Sequence, residues 1–217
     1  MALAIFDLDK TLITGDSDFL WGEFMSENGM VDRENYQKRN ADFFEQYTLG
    51  KLNISEYLEF CLEPLSRFSY DELCNYHRSF LEEKIRPIIS NDAIKQIEKH
   101  RDQGDILLVL TATNRFITSP IVAEFGIENL LATEIEFIAE RYTGKVLGEP
   151  CFQEGKIEHL RRWISNRNIS LDGSYFYSDS HNDLPMLKLV DHPNVVNPDN
   201  KLREIALKRN WPIHNWA

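Results

Sequence analysis

Four consecutive apolar residues, Leu3-Ala4-Ile5-Phe6, run directly into Asp7-Leu8-Asp9-Lys10-Thr11. A continuous apolar run this short reads as a strand buried on both faces, the kind found in parallel sheets. If the strand continues, a spacing of two points both carboxylates the same way. Two such charges repel, and burial makes each more costly, so a positive group is expected between them. Mg²⁺, a hard ion that takes oxygen ligands, suits that place. A strand that merely ends in a polar loop accounts for the same string.

Beyond Thr11 the period changes. From about Asp16 to Ile85 large apolar residues recur at helical spacing: Phe19, Leu20 and Phe24, then Phe43, Phe44 and Tyr47, then Tyr57, Leu58, Cys61 and Leu62. Gly29 and Gly50 fall where helices would stop, and the polar residues before Tyr57 offer a cap. The stretch reads as an all-helical insertion, although periodicity alone also allows these helices to pack directly on a sheet. From Pro87 the rhythm is α/β. Asn91 or Asp92 would cap a helix that Gly104 ends, and residues 105–111 form a buried strand. A helix over 116–125 follows, then short extended pieces at 130–137 and 142–146. Gly155-Lys156 opens another helix, Tyr175–Ser178 is a strand, and residues 194–196 make the last one. Such alternation predicts a Rossmann-like parallel sheet covered on both faces, with ligands bound beyond the carboxyl ends of its strands.

A formal net charge of −11 excludes the basic footprint of a nucleic-acid surface. It does not exclude a phosphorylated substrate, since local cations and a metal set the field inside a pocket. Cys61, Cys74 and Cys151 are odd in number and lack ligand spacing, which fits reduced thiols in a cytoplasmic protein. No secretory leader or membrane-spanning run is evident, so no membrane partner is expected, and the protein is expected as a monomer or homodimer.

Asp7-Leu8-Asp9-Lys10-Thr11 resembles the D-x-D-x-T signature of the haloacid dehalogenase superfamily, most of whose members are phosphatases and phosphotransferases. Three further signatures follow in order. Thr111 ends the strand Leu107-Leu108-Val109-Leu110, where its hydroxyl and the Ala112 N–H can meet phosphoryl oxygens beside a helix N-terminus. Lys156 follows Gly155 at a helix start; most lysines are solvated, and chain order is what selects this one. Residues 178–183, Ser178-Asp179-Ser180-His181-Asn182-Asp183, resemble G-D-x-x-x-D, and Asn182-Asp183 resembles the phosphoserine-phosphatase-like branch. Ser178 replaces the usual Gly, which leaves the backbone less free to turn.

The resemblance implies a core at 1–14 and 86–217 with a helical cap (C1 type) at 15–85. It implies Asp7 as nucleophile, Asp9 as acid/base, and Thr111 and Lys156 as phosphoryl ligands. Mg²⁺ is implied on one oxygen of Asp7, the backbone carbonyl of Asp9, and Asp179, with Asp183 orienting a metal-bound water or Lys156 behind it. Asp16, Ala112, Arg115 and Asn182 are implied as substrate-binding residues; Asp16 stands where phosphoserine phosphatases carry a substrate-reading Glu. Asp16 and Arg115 equally suit capping or surface roles. Lys10, where Gly or Ser is usual, is read as pointing to solvent in preference to contributing charge near the phosphate, and His181 as a solvent-exposed bystander. The implied activity is Mg²⁺-dependent hydrolysis of a small phosphorylated metabolite such as phosphoserine or histidinol phosphate. No Gly-Gly-Phe stretch typical of phosphoserine phosphatases occurs in the insertion. A phosphotransferase to an alcohol, or a non-catalytic binding protein on the same scaffold, are the alternatives; a dehalogenase has no need of Asp9.

Overall fold

In the computed structural model, which describes residues 2–216, β1 (Leu3–Phe6) is fully buried at the middle of a sheet. The chain then forms α1 (Ser17–Glu27), α2 (Arg33–Thr48), α3 (Ile54–Leu62) and α4 (Tyr70–Phe80) before α5 (Asn91–Asp102) and β2 (Ile106–Asn114). It continues through α6 (Arg115–Glu124), β3 (Asn129–Thr133), β4 (Ile135–Ile138), β5 (Arg141–Val146) and α7 (Glu154–Ser165). Last come β6 (Tyr175–Ser178), α8 (Leu184–Leu187), β7 (His192–Val196), α9 (Asn200–Arg209) and β8 (Ile213–His214).

Six strands pair in the order β3-β2-β1-β6-β7-β8, all parallel. β1 lies between β2 and β6, with Phe6 opposite both Val109 and Tyr177. The Asp7 N–H extends the ladder one residue further, to the Tyr177 carbonyl at 2.9 Å. The carboxyl ends of three strands from distant parts of the chain therefore converge beside Asp7. Alternate residues of β1 serve opposite cores: Ala4 and Phe6 pack with Val109, Phe24, Phe80 and Ile117, whereas Leu3 and Ile5 pack with Leu108, Leu160, Phe176 and Met186. Both faces are apolar because helices cover both, which is why the strand reads as an unbroken hydrophobic run.

Between β1 and β2 every regular element is helical. Asp16, Asp32, Asn53 and Ser69 cap α1 to α4 with side-chain oxygens. Gly29 and Gly50 follow α1 and α2 in the left-handed region that glycine adopts at least cost. Part of the insertion does pack on the main body: Trp21 of α1 and His77 of α4 lie 5.5 and 5.3 Å from the Phe116 ring of α6. Residues of α2 and α3 instead roof the cavity above Asp7.

Several boundaries differ from expectation. Ser90, rather than Asn91 or Asp92, caps α5. β2 runs past Thr111 to Asn114, with a register irregularity after Leu110. The piece at 130–137 divides: β3 joins the main sheet, while β4 leaves it to pair with β5 as an antiparallel hairpin. Residues 194–196 are not the last strand, because α9 returns the chain to add β8 at the edge. β8 has two residues, too few to carry any periodicity. Cys61 and Cys151 are buried, Cys74 is half-buried, and all three are free. No described helix is long and apolar enough to cross a membrane.

Candidate active site

Lys156 lies in the first turn of α7, with its side chain 4% exposed. Its ammonium donates to Asp7 Oδ1 at 2.8 Å and reaches Asp183 Oδ1 at 2.7 Å and Oδ2 at 2.8 Å. Burial alone would push its pKa down; Asp183 and Asp7 outweigh burial and hold it well above its ordinary value. Burial raises Asp7 to about 7, Lys156 pulls against that shift, and Asp183 and Asp9 add to it. Ser178 donates its hydroxyl to Asp183 Oδ2 at 2.8 Å. Its φ is not among the positive ones, so the turn here has no need of glycine, and the serine adds a donor that glycine lacks.

Asp9 is held separately. Its Oδ1 accepts the Ser17 N–H at 2.6 Å and its Oδ2 accepts the Thr113 hydroxyl at 2.9 Å. Burial raises its pKa to about 7, Asp16 adds to the rise, and the Ser17 and Thr113 bonds oppose it. A carboxyl balanced near neutrality can both give and take a proton. Lys10, next in sequence, has φ +57, a left-handed conformation uncommon for a side-chain-bearing residue. Its side chain is 31% exposed, and its ammonium sits 4.4 Å over the Phe44 ring of α2 and 3.6 Å from Asp16.

Asp179 is 7% exposed. Burial drives its pKa well up, Asp7 adds to the rise, and Lys10 opposes it. Among the described residues none donates a hydrogen bond to its carboxylate. Asp7 Oδ2 and the Asp9 carbonyl are likewise without a partner there. Oxygens left unpaired beside buried negative charge fit a hard divalent ion that keeps several waters. No group of three or more His, Cys, Asp or Glu side chains among the described residues could hold a metal, which sets this arrangement apart from a closed zinc site. Protein donors engage both oxygens of the Asp9 and Asp183 carboxylates.

Asp7, Asp9, Thr111, Ala112 and Lys156 line one cavity together with Asp16 and Thr113. The cavity is also lined by aromatic rings, among them Phe43, Phe44 and Tyr57. Arg115 is not brought here. Its guanidinium turns away to Glu134 at 2.7 Å and the Leu130 carbonyl at 2.9 Å. Asn182 accepts from Gln153 and donates to the Tyr47 carbonyl, joining core to α2 instead of lining the cavity. Nor is His181 solvent-exposed: its side chain is 8% exposed and its Nδ1 pairs with Asp199 at 2.8 Å. Sequence reasoning missed Thr113 and Ser17, which orient Asp9, the donor role of Ser178, and Asp18 and Tyr57, which line the roof. Thr113 alone carried a signal, standing two residues from Thr111 on the same side of the strand.

The chain matches the haloacid dehalogenase-like hydrolase family over residues 4–188. It is 43% identical to a histidinol-phosphatase of Neisseria meningitidis serogroup C (strain 8013), over 99% of this chain and 98% of that protein. A crystal structure from Bordetella pertussis Tohama I, described as a protein with unknown function, superposes with a TM-score of 0.93 at 40% identity, covering 98% of this chain and 97% of that one. A substrate-bound phosphoserine phosphatase superposes with a TM-score of 0.71 at 19% identity over 99% of this chain and 92% of that one, a likeness of fold.

Proposed function

The chain belongs to the haloacid dehalogenase-like hydrolases, and we propose that it is a Mg²⁺-dependent phosphatase of a small phosphorylated amine, acting through Asp7. One observation carries the reading: the buried Lys156 ammonium spans Asp7 and Asp183 while Asp179 and one oxygen of Asp7 stand without partners.

Lys156 orients the Asp7 carboxylate through Oδ1, and one of its two oxygens attacks phosphorus while the other is left for the metal. The attack forms the O–P bond of an Asp7 acyl-phosphate and breaks the bond to the leaving alkoxide. Asp9, protonated at the start, gives its proton to that alkoxide. Its carboxylate then takes a proton from the water that hydrolyses the acyl-phosphate, and the cycle closes. Ser17 and Thr113 hold Asp9 in one orientation through both transfers. Lys156, the Thr111 hydroxyl and the Ala112 N–H bind the phosphoryl oxygens and stabilise the charge on them. Asp7, Asp179 and the Asp9 carbonyl would hold Mg²⁺, which supplies Lewis-acid neutralisation of the phosphoryl charge. Asp183, taken up by Lys156 and Ser178, keeps the ammonium in line. The helices at 15–85 act as the cap that excludes water.

Among substrates, histidinol phosphate is favoured over phosphoserine by the 43% identity to the Neisseria protein along almost its full length. The test is steady-state hydrolysis of histidinol phosphate, phosphoserine and p-nitrophenyl phosphate with Mg²⁺ and with a chelator. Metal-dependent turnover led by histidinol phosphate is the expected result. No turnover of any of the three with metal present overturns the assignment.

A further inference from the structure

Two acidic residues from the start of α1 line the roof of the cavity, and they are not equivalent. Asp16 Oδ1 caps the helix by accepting the Phe19 N–H at 3.0 Å, and its Oδ2 faces Lys10 at 3.6 Å. Asp18 is 6% exposed. Its Oδ2 accepts the Tyr57 hydroxyl at 2.6 Å, and its Oδ1, also buried, has no hydrogen-bond partner. An acidic residue in a first helical turn ordinarily complements the helix dipole from a solvated position. That role gives no reason to bury the carboxylate beside aromatic rings, or to leave one oxygen without a donor.

The rings that line the same cavity as Asp18 belong to Phe19, Phe43, Phe44, Tyr47, Tyr57 and Phe152. They are packed against one another: Phe43 and Tyr57 lie 5.4 Å apart, Phe19 and Phe44 5.0 Å. Ring faces attract cations and stack on flat groups, and a carboxylate among them adds charge-assisted hydrogen bonding. In the absence of a cation, burial lifts the Asp18 pKa to about 7, with Tyr57 opposing the shift, so the site holds its charge at a cost that a ligand cation removes.

We propose that Asp18, braced by Tyr57, is the specificity-determining residue that receives the cationic nitrogen of the leaving group, while the surrounding rings hold its flat apolar part. Asp16 is the cap of α1 and the partner of Lys10. The assignment rests on the phosphatase reading for its catalytic readout, but not for its binding readout. The substrate class is a phosphomonoester of an amino alcohol that carries an aromatic or heteroaromatic ring.

Matched esters test it: 2-amino-3-phenylpropyl phosphate against 3-phenylpropyl phosphate, compared by kcat/KM in the native protein, Asp18→Asn and Asp16→Asn. The native protein prefers the amine, and Asp18→Asn lowers that preference by about tenfold, mainly through KM. An unchanged preference in Asp18→Asn, or a collapse in Asp16→Asn alone, overturns the proposal. Calorimetry of the native protein with the free alcohols supplies a readout independent of turnover and of any variant's folding. 2-Amino-3-phenylpropan-1-ol should bind about tenfold more tightly than 3-phenylpropan-1-ol. Equal binding of the two alcohols overturns the proposal, whether or not any ester is hydrolysed.

Discussion

Gly155 lies so close to Pro150 that a Cβ at position 155 would stand 2.1 Å from the Pro150 carbonyl oxygen. No side chain fits there without movement of the backbone that starts α7 and carries Lys156. The requirement is one of space, since Gly155 is not among the positive-φ residues. Gly155→Ala should therefore displace Lys156 from Asp7 and reduce turnover by about a hundredfold, the usual cost of a misplacement of about 1 Å in a catalytic group. Circular dichroism should show the fold retained, with a lower melting temperature. Full activity in this variant would mean that the loop at 150–155 yields freely.

Lys156 is the cation in direct contact with Asp7 and Asp183, and all three side chains are buried. Removing one member of such a group leaves uncompensated charge and costs about 3–5 kcal/mol. Lys156→Met should lose stability on that scale in denaturant titration and lose activity altogether. Lys156→Arg keeps the charge but brings a planar fork to a place shaped for a compact ammonium, so it should fold and yet remain severely impaired. Near-native rates in the arginine variant would argue against a geometric role for the ammonium.

The carboxyl of Asp18 titrates at about 7 in the folded protein against an ordinary 3.8. Between those values the folded protein keeps a proton that the unfolded chain has released. The stability this group confers is thus full below about pH 4 and is lost as pH rises through about 7. A shift of this size bounds the effect at about 4 kcal/mol, at roughly 1.4 kcal/mol for each unit. Asp18→Asn removes the penalty, and its amide can still accept from Tyr57, but one buried polar group remains unpaired. The variant should gain about 1–2 kcal/mol at pH 8 and nothing at pH 4. Melting curves across that range check it; a loss at pH 8 would show that the ionised carboxylate has a stabilising partner.

The fold and the family were legible because their signals are local. Asp7-Leu8-Asp9 after an apolar run, Thr111 at the end of another, and Asp179 with Asp183 each fix a strand end by short-range spacing, and chain order does the rest. What escaped was decided by contacts across the chain. Tyr57 meets Asp18 over 39 positions, and neither residue announces the other. Arg115 stands beside the cavity residues in sequence, yet α6 begins at that residue and its guanidinium finds Glu134, 19 positions on. His181 is flanked by site residues and looks solvated until Asp199 and the roof close around it: a Cβ on Gly50 would stand 2.7 Å from its Nε2. Lys10 escaped for a similar reason, since its ammonium lies over the Phe44 ring of α2, 34 positions away.

Asp179 and the free oxygen of Asp7 make a prediction about metal that does not depend on catalysis. Three buried aspartates (7, 179 and 183) and the half-buried Asp9 share the site with a single buried ammonium among the described residues, so a divalent cation should bind the folded form and raise its melting temperature. At a hundredfold excess over Kd the gain is about 2.7 kcal/mol. Asp179→Asn removes one ligand and one repelling charge together. It should abolish the Mg²⁺-dependent shift while melting no lower than the native protein in chelator, because the lost charge had no hydrogen-bonding donor. Ca²⁺ should compete, being an oxygen-seeking ion of the same charge, but its larger radius and looser coordination should support little turnover. A Mg²⁺ shift that survives in Asp179→Asn would put the ion elsewhere, and the arrangement of Asp7, Asp9 and Asp179 would then need another account.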